Sequence, residues 1–126
     1  TPEVKEAGTN ADKMKNFLDS LNVDEFGNRL DTLTRDLERN FTELSSAFHR
    51  GAGRVGNPKL AEPIDSAIGK LRDELSRAKS EGRLDQKEGQ RQNLENLRRF
   101  YRSLGVSLAH GSPSTKEKDE EKGKKK

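Results

Sequence analysis

Large apolar residues recur along the middle of the chain at helical spacing and mark one narrow stripe. Between residues 26 and 48 the steps are four, three, four, four, three and four residues. At about 100° per residue, this spacing keeps them all within about 80° of one helix face. The residues are Phe26, Leu30, Leu33, Leu37, Phe41, Leu44 and Phe48. A helix with so narrow an apolar stripe has to bury it against another helix.

Similar stripes on either side of this segment predict further helices. Asn10 is a candidate N-cap for a short helix, and Asn22 with Glu25 has the spacing of a capping box. Whether residues 11–49 form one bent helix or two stays open, because Gly27-Asn28 is another candidate break. The predicted helices cover about 11–21, 24–49, 62–81 and 85–109.

Glycine and proline mark the predicted helix ends. Three glycines and a proline in segment 51–58 are expected to end the long helix at residue 49. Pro63 suits the first turn of the middle helix, 62–81, and Gly82 is expected to end that helix.

The last helix, 85–109, has a weaker beginning. Asp85 and Glu88 have the spacing of a second capping box. Gly89 lowers the helix propensity of the polar first half. We therefore expect this first half to fray or to extend beyond the bundle.

Together these patterns predict an all-α fold. It would be an antiparallel three-helix bundle or a coiled-coil-like hairpin, with the short N-terminal helix across one end. We assign residues 10–110 to this helical unit, 1–9 to a flexible N-terminus and 111–126 to a disordered Lys/Glu-rich tail. With 28% hydrophobic and 37% charged residues, the chain suits thin bundles that need one apolar stripe per helix.

The long and last helices carry opposite charge. The long helix has six acids and three arginines, whereas the last, counted from Arg83, has six basic residues and three acids. This difference predicts that the two helices lie side by side. An exposed ion pair contributes only about 0–1 kcal/mol, so charge selects among arrangements and apolar burial supplies the stability.

Four arginines beside the apolar stripe of the last helix form the main candidate site, for an acidic protein partner or for phosphates. The structural interpretation, which the sequence favours, is that they pair with acids of the long helix while their stems cover the stripe. These residues are Arg91, Arg98, Arg99 and Arg102.

The segment between the long and middle helices spells a dinucleotide-binding fingerprint, Gly51-x-Gly53-x-x-Gly56. That motif binds phosphates only between a strand and a helix, and here a helix precedes it. We therefore interpret it as an interhelical loop. Arg50 and Arg54 make a weak anion-binding site the alternative.

His49 stands directly before this loop. The segment His49-Arg-Gly-Ala-Gly-Arg-Val-Gly56 resembles the histidine phosphotransfer domain, which is also a helical bundle. The resemblance implies that His49 could carry a phosphoryl group. It covers some eight residues and departs from the family, which keeps a lysine and a glycine in continuing helix after the histidine. Here position 52 is alanine, and Gly51 falls too early.

Other chemistry has little support in the sequence. The absence of cysteine excludes disulfides, a thiol nucleophile and zinc thiolates. No histidines or acids have metal-ligand spacing, and nothing groups a serine with a base. We therefore expect no catalytic residues, metal or cofactor. No apolar run is long enough to span a membrane and no signal-peptide pattern is present, so the compartment cannot be read.

The leading hypothesis is a non-enzymatic helical protein–protein interaction module, such as an adaptor, a secreted effector or a structural assembly unit. One alternative is nucleic-acid binding through the basic last helix and the lysine tail, which ends in three lysines. Another is phosphotransfer through His49. Narrow stripes can also pair between chains, so a homo-oligomer is a further alternative.

Overall fold

The structure is a computed structural model that describes residues 2–109, with side chains described over 5–105. It is all-α and contains no β-strand within 2–109, which confirms the predicted fold class. The tail predicted at 111–126 lies outside the described residues. The helices are α1 (Pro2–Ser20), α2 (Val23–Asn28), α3 (Leu30–Arg54), α4 (Glu62–Ser80) and α5 (Lys87–Ala109), with 3-10 turns at Pro58–Ala61 and Arg83–Asp85.

Four long helices, α1, α3, α4 and α5, share the core. The N-terminal helix, which was expected to be short and to lie across one end of the bundle, is one of these four. α1 and α4 each pack against both α3 and α5. α5 runs parallel to α2 and α3, because Gly27 of α2 lies near Gln90 and Asn40 of α3 contacts Tyr101. α3 and α5 face each other across the core and do not pack side by side, although their opposite charge predicted that they would. α1 and α4 run antiparallel to this pair and lie on either side of it.

α1 begins much earlier than the sequence predicted. It starts at Pro2, whereas residues 1–9 were expected to be a flexible end and the helix to begin near residue 11. The reason is that small residues extend its buried face: Ala7 and Ala11 are each 4% exposed, in line with Leu18. Pro2 is tolerated because the first turn of a helix needs no amide donor.

The predicted long helix is divided near its start. Asn22 forms the expected capping box: its Oδ1 accepts from the Glu25 amide at 2.8 Å, while Glu25 Oε1 accepts from the Asn22 amide at 3.0 Å. A second break falls at Arg29, directly after Gly27-Asn28. Residues 11–49 therefore form three helical segments.

The far end of this helix corrects a second prediction. α3 continues five residues beyond residue 49 and includes Gly51 and Gly53. Ala52, which is 3% exposed, extends the buried face and compensates for the poor propensity of its neighbours. The helix ends only at Val55, followed by Gly56 with a φ of +71°.

The apolar stripe of α2 and α3 is buried as predicted except at Leu30, which is partly buried. Phe26, Phe41 and Leu44 are fully enclosed. One polar pair crosses this core: the Tyr101 hydroxyl donates to Asn40 Oδ1 at 2.6 Å. Both residues are buried, so the hydrogen bond compensates for their lost hydration. Burial raises the pKa of the Tyr101 phenol.

The turn between α4 and α5 depends on two glycines. Gly82 follows the C-cap residue of α4 and takes a φ of +75°, as expected of a glycine that ends a helix. A Cβ on Gly89 would lie 2.0 Å from the Arg83 carbonyl oxygen, so this glycine allows close packing. Asp85 lies in the preceding 3-10 turn, and α5 starts at Lys87. The expected capping box at Asp85 is therefore not the start of this helix.

Candidate functional site

Arg98, one of the four candidate arginines, points into the bundle. Its Nε donates to the Leu18 carbonyl at 3.1 Å and its Nη2 to the Leu21 carbonyl at 2.6 Å. Its side chain is 19% exposed and also bonds Glu95. A cation here satisfies carbonyls at the C-terminal end of α1, which has no basic residue of its own in the last turn.

The other three arginines face solvent. Arg91 lies 3.5 Å from Glu88 and Arg99 donates to Asn96 at 3.2 Å, both on α5 itself. Arg102 is exposed and has no ion pair among side chains 5–105. These three residues, Arg91, Arg99 and Arg102, are called the α5 arginine face below.

The arginines of α5 therefore do not bridge to acids of the long helix. Among side chains 5–105, a single ion pair joins α5 to the predicted long helix, 24–49. It connects Lys87 with Asp24 of α2 at 2.9 Å. The predicted pairing fails because α5 turns its arginines toward α1 and toward solvent, while its apolar stripe faces α3.

Polar side chains of α3 contact α4 instead. Glu38 accepts a hydrogen bond from Arg72 at 2.9 Å. Ser45 donates to Asp65 Oδ1 at 2.8 Å, and His49 Nε2 lies 2.5 Å from Asp65 Oδ2. The hydrogen bond with His49 lowers the pKa of the Asp65 carboxyl, and the Ser45 hydroxyl adds to this effect.

The Ser45–Asp65–His49 cluster does not have the geometry of a hydrolytic triad. In a triad the histidine accepts the proton of the serine, whereas here the carboxylate stands between the two. Ser45 and His49 instead share one acceptor, so the arrangement links α3 to α4. Asp65 also occupies the Nε2 side of the imidazole, where its negative charge would oppose a phosphoryl group.

The predicted anion site at Arg50 and Arg54 lies on the last turns of α3. Both side chains are exposed. The backbone stays helical as far as Arg54, so amides of the glycine motif up to that residue point along the helix axis. They do not form the cradle that a dinucleotide fingerprint builds.

Between α4 and α5, large apolar side chains remain only half-buried. They are Leu71 and Leu75 of α4 and Phe100 of α5, and we call their surface the α4–α5 groove. The Arg72 guanidinium lies 5.8 Å from the Phe41 ring centroid, and the Phe100 ring lies 5.9 Å from it. Residues 72 and 100 are therefore at the same level along the bundle.

Helix geometry places the groove on the side of α4 away from α3. Asp65 and Arg72 contact α3, so the opposite flank of the apolar stripe faces α5. On α5, Phe100 lies about 200° from Arg98, which contacts α1. Leu71, Leu75 and Phe100 belong to the apolar stripes that predict the middle and last helices, but nothing in the periodicity indicated that their burial would be incomplete.

An open cleft of about 340 Å³ lies at the other end of the bundle, where the α2–α3 junction meets the α4–α5 turn. Asp31 and Asp85 are on its walls.

Within the described part of the chain, no three acids or histidines are arranged to hold a metal ion. None of the described helices is both long and apolar enough to cross a membrane.

Comparison with known proteins adds no family to these observations. No protein-family model matches the chain, and neither curated proteins nor solved structures yield a match.

Proposed function

We propose that this chain is a non-enzymatic helical module that binds a partner protein through its α4 and α5 surface. The observation that carries the proposal is the α4–α5 groove, where Leu71, Leu75 and Phe100 stay half-buried. Apolar area that stays in contact with water is unfavourable, so a partner that covers these side chains would gain the free energy of removing them from water. An adaptor, a secreted effector and a structural assembly unit all fit this description.

The α5 arginine face supports a partner with an acidic surface. Arg99 is the member nearest the groove: its side chain leaves α5 about 100° from Phe100, whereas Arg91 and Arg102 lie about 160–180° from that ring, around the exposed side of α5. Arginine and aromatic residues are enriched in protein interfaces and among the residues that contribute most to binding. Arg98 takes no part, because its guanidinium is engaged by α1.

The test compares partner capture by matched charge variants. The triple variant Arg91→Glu, Arg99→Glu, Arg102→Glu should lose most of a protein captured by the wild type. The control carries the same charge change on α1 and α3, at Lys13, Arg35 and Arg39, and should keep it. Circular dichroism verifies that both remain helical. If the α5 variant captures the same protein as well as the control does, this proposal is wrong.

The two alternatives have less support. Single-stranded nucleic acid is commonly bound through exposed aromatic rings on which bases stack, whereas Tyr101 of α5 is buried against Phe41. It would be recognised by an affinity that falls steeply with salt. Phosphotransfer needs a free Nε2 on His49, which Asp65 occupies. An acid-labile phosphoryl group on His49 after incubation with a phosphodonor would revive that alternative.

A further inference from the structure

The two flanks of α4 differ in how their charges are matched. On the α3 side, Arg72 and His49 each contact a carboxylate across the helix–helix boundary. On the α5 side, Lys70 is exposed and makes no ion pair among side chains 5–105. It lies about 200° from Arg72 around α4, at the outer edge of the α4–α5 groove.

The opposite edge of the groove is also basic. Arg99 precedes Phe100 and is exposed, and its hydrogen bond to the neutral Asn96 amide leaves its charge uncompensated. On the α4 edge, Glu74 lies between Leu71 and Lys70 around the helix, but its charge is matched: it accepts a hydrogen bond from Arg83 at 2.9 Å and lies 4.0 Å from Arg77. The groove thus has an apolar floor between two cationic rims.

The shape of the groove suits a helix. Ala67, Leu71 and Leu75 extend over about 12 Å of α4, which is the length of two helical turns. Strand addition needs an exposed sheet edge, and the described residues contain no strand. An amphipathic helix with apolar residues three and four apart would lie along this floor as a further member of the bundle.

Building on the proposed function, we propose that the α4–α5 groove binds an amphipathic helix of a partner protein that carries carboxylates on both flanks of its apolar stripe. The apolar residues of that helix contact Leu71, Leu75 and Phe100. Its carboxylates face Lys70 on one side and Arg99 on the other. Charge complementarity selects an acidic helix over a basic one of equal apolar area.

The probe is a designed amphipathic peptide with leucines at helical spacing and glutamates on both flanks. Its counterpart has lysine at every glutamate position. Fluorescence anisotropy with the full chain should show the acidic peptide binding about tenfold more tightly than the basic one. The double variant Lys70→Glu, Arg99→Glu should reverse this preference. The control Lys13→Glu, Arg35→Glu, with the same charge change on α1 and α3, should retain it.

Equal binding of the two peptides, or equal effects of the groove and control variants, overturns the inference. If circular dichroism shows that the double glutamate variant is less helical, Lys70→Gln with Arg99→Gln gives the same test with smaller charge changes. If groove variants abolish capture of a natural partner while the acidic peptide does not bind, the proposed function stands and this inference fails. If the groove variants change neither the capture of a natural partner nor the binding of the acidic peptide, the proposed function and this inference are both wrong.

Discussion

α1 and α4 flank the same pair of helices but are held in different ways. α1 has few large apolar residues, yet it approaches α3 and α5 more closely along its length than α4 does. Its buried face includes Ala7 and Ala11, whose small side chains permit this approach. α4 carries more leucine and isoleucine, but Leu71 and Leu75 remain half-buried. Close packing here follows the size of facing side chains rather than their number.

The polar contacts differ in the same way. α1 is joined to α5 by the partly buried guanidinium of Arg98, which bonds backbone carbonyls. α4 is joined to α3 by exposed side-chain pairs, Arg72 with Glu38 and His49 with Asp65. Exposed pairs contribute little and are screened by salt, so α4 should be the more easily perturbed helix. This is also the helix that lines the proposed binding groove.

The largest expected effect tests the difference in burial. Leu18→Ala on α1 removes a side chain with no exposure, so it should lower the free energy of unfolding by about 2–5 kcal/mol. Leu71→Ala on α4 should cost less than half as much, because that side chain is already partly hydrated. Urea unfolding of both variants measures the two losses. Equal losses would remove the distinction between the two helices.

The next prediction concerns the turn that fixes α4 beside α5. Gly89→Ala would place a Cβ against the Arg83 carbonyl, so the backbone must shift and stability should fall by about 1–3 kcal/mol. Gly27→Ala is the matched control, because its Cβ would meet only the movable side chain of Gln90, at 2.8 Å. Thermal unfolding compares the two. A Gly89 variant as stable as the control would mean that the turn adapts without cost.

Arg98 provides the third test. Arg98→Met keeps much of the apolar stem but leaves the carbonyls of Leu18 and Leu21 without their charged donor, at a cost of about 1.5–3 kcal/mol. Arg102→Met, on the exposed face of α5, should change stability by less than about 0.5 kcal/mol. The urea midpoint reports both. Similar small changes would show that Arg98 does not stabilise the α1 end.

The smallest effect is pH dependent. His49 lowers the pKa of Asp65 from its ordinary value of 3.8, so this carboxyl stabilises the fold above that pH and loses its contribution as the pH falls through the lowered pKa. Both side chains are largely exposed, so the effect should be under about 1 kcal/mol.

Asp65→Asn should therefore be less stable than the wild type at neutral pH, and the two should converge in acid. Asp73→Asn, also on α4 and exposed, is the control. Unfolding midpoints across a pH series measure the difference. A gap between wild type and Asp65→Asn that stayed constant down to the acid limit would contradict the assignment.

Several features of the fold could be predicted because they depend on neighbours in sequence. The stripe from Phe26 to Phe48, the capping box at Asn22 and the helix end at Gly82 all involve residues within a few turns of one another. Helix boundaries were less predictable. α1 and α3 both extend past weak helix formers because Ala7 and Ala52 are buried by distant segments.

The candidate site shows the same division. The sequence identified Arg98, Arg99 and Phe100 on one helix, but it could not separate the arginine that joins α1 from the one that faces solvent. Which arginine reaches α1 depends on where α1 ends beside α5. The hydrogen bond from Arg98 to the Leu18 carbonyl joins residues that are 80 positions apart in sequence. The incomplete burial of Leu71 likewise depends on the distance between two helices.

The sequence by itself determined that this chain is helical, which face of α3, α4 and α5 is apolar and that Gly82 ends α4, because these properties follow from local spacing and backbone preference. The tertiary structure alone decided that α1 is a full member of the bundle, that Arg98 serves α1, that Gly89 must lack a side chain and that the α4–α5 groove stays open. Each of these depends on how closely two distant segments approach, and a one-dimensional pattern carries no measure of that distance.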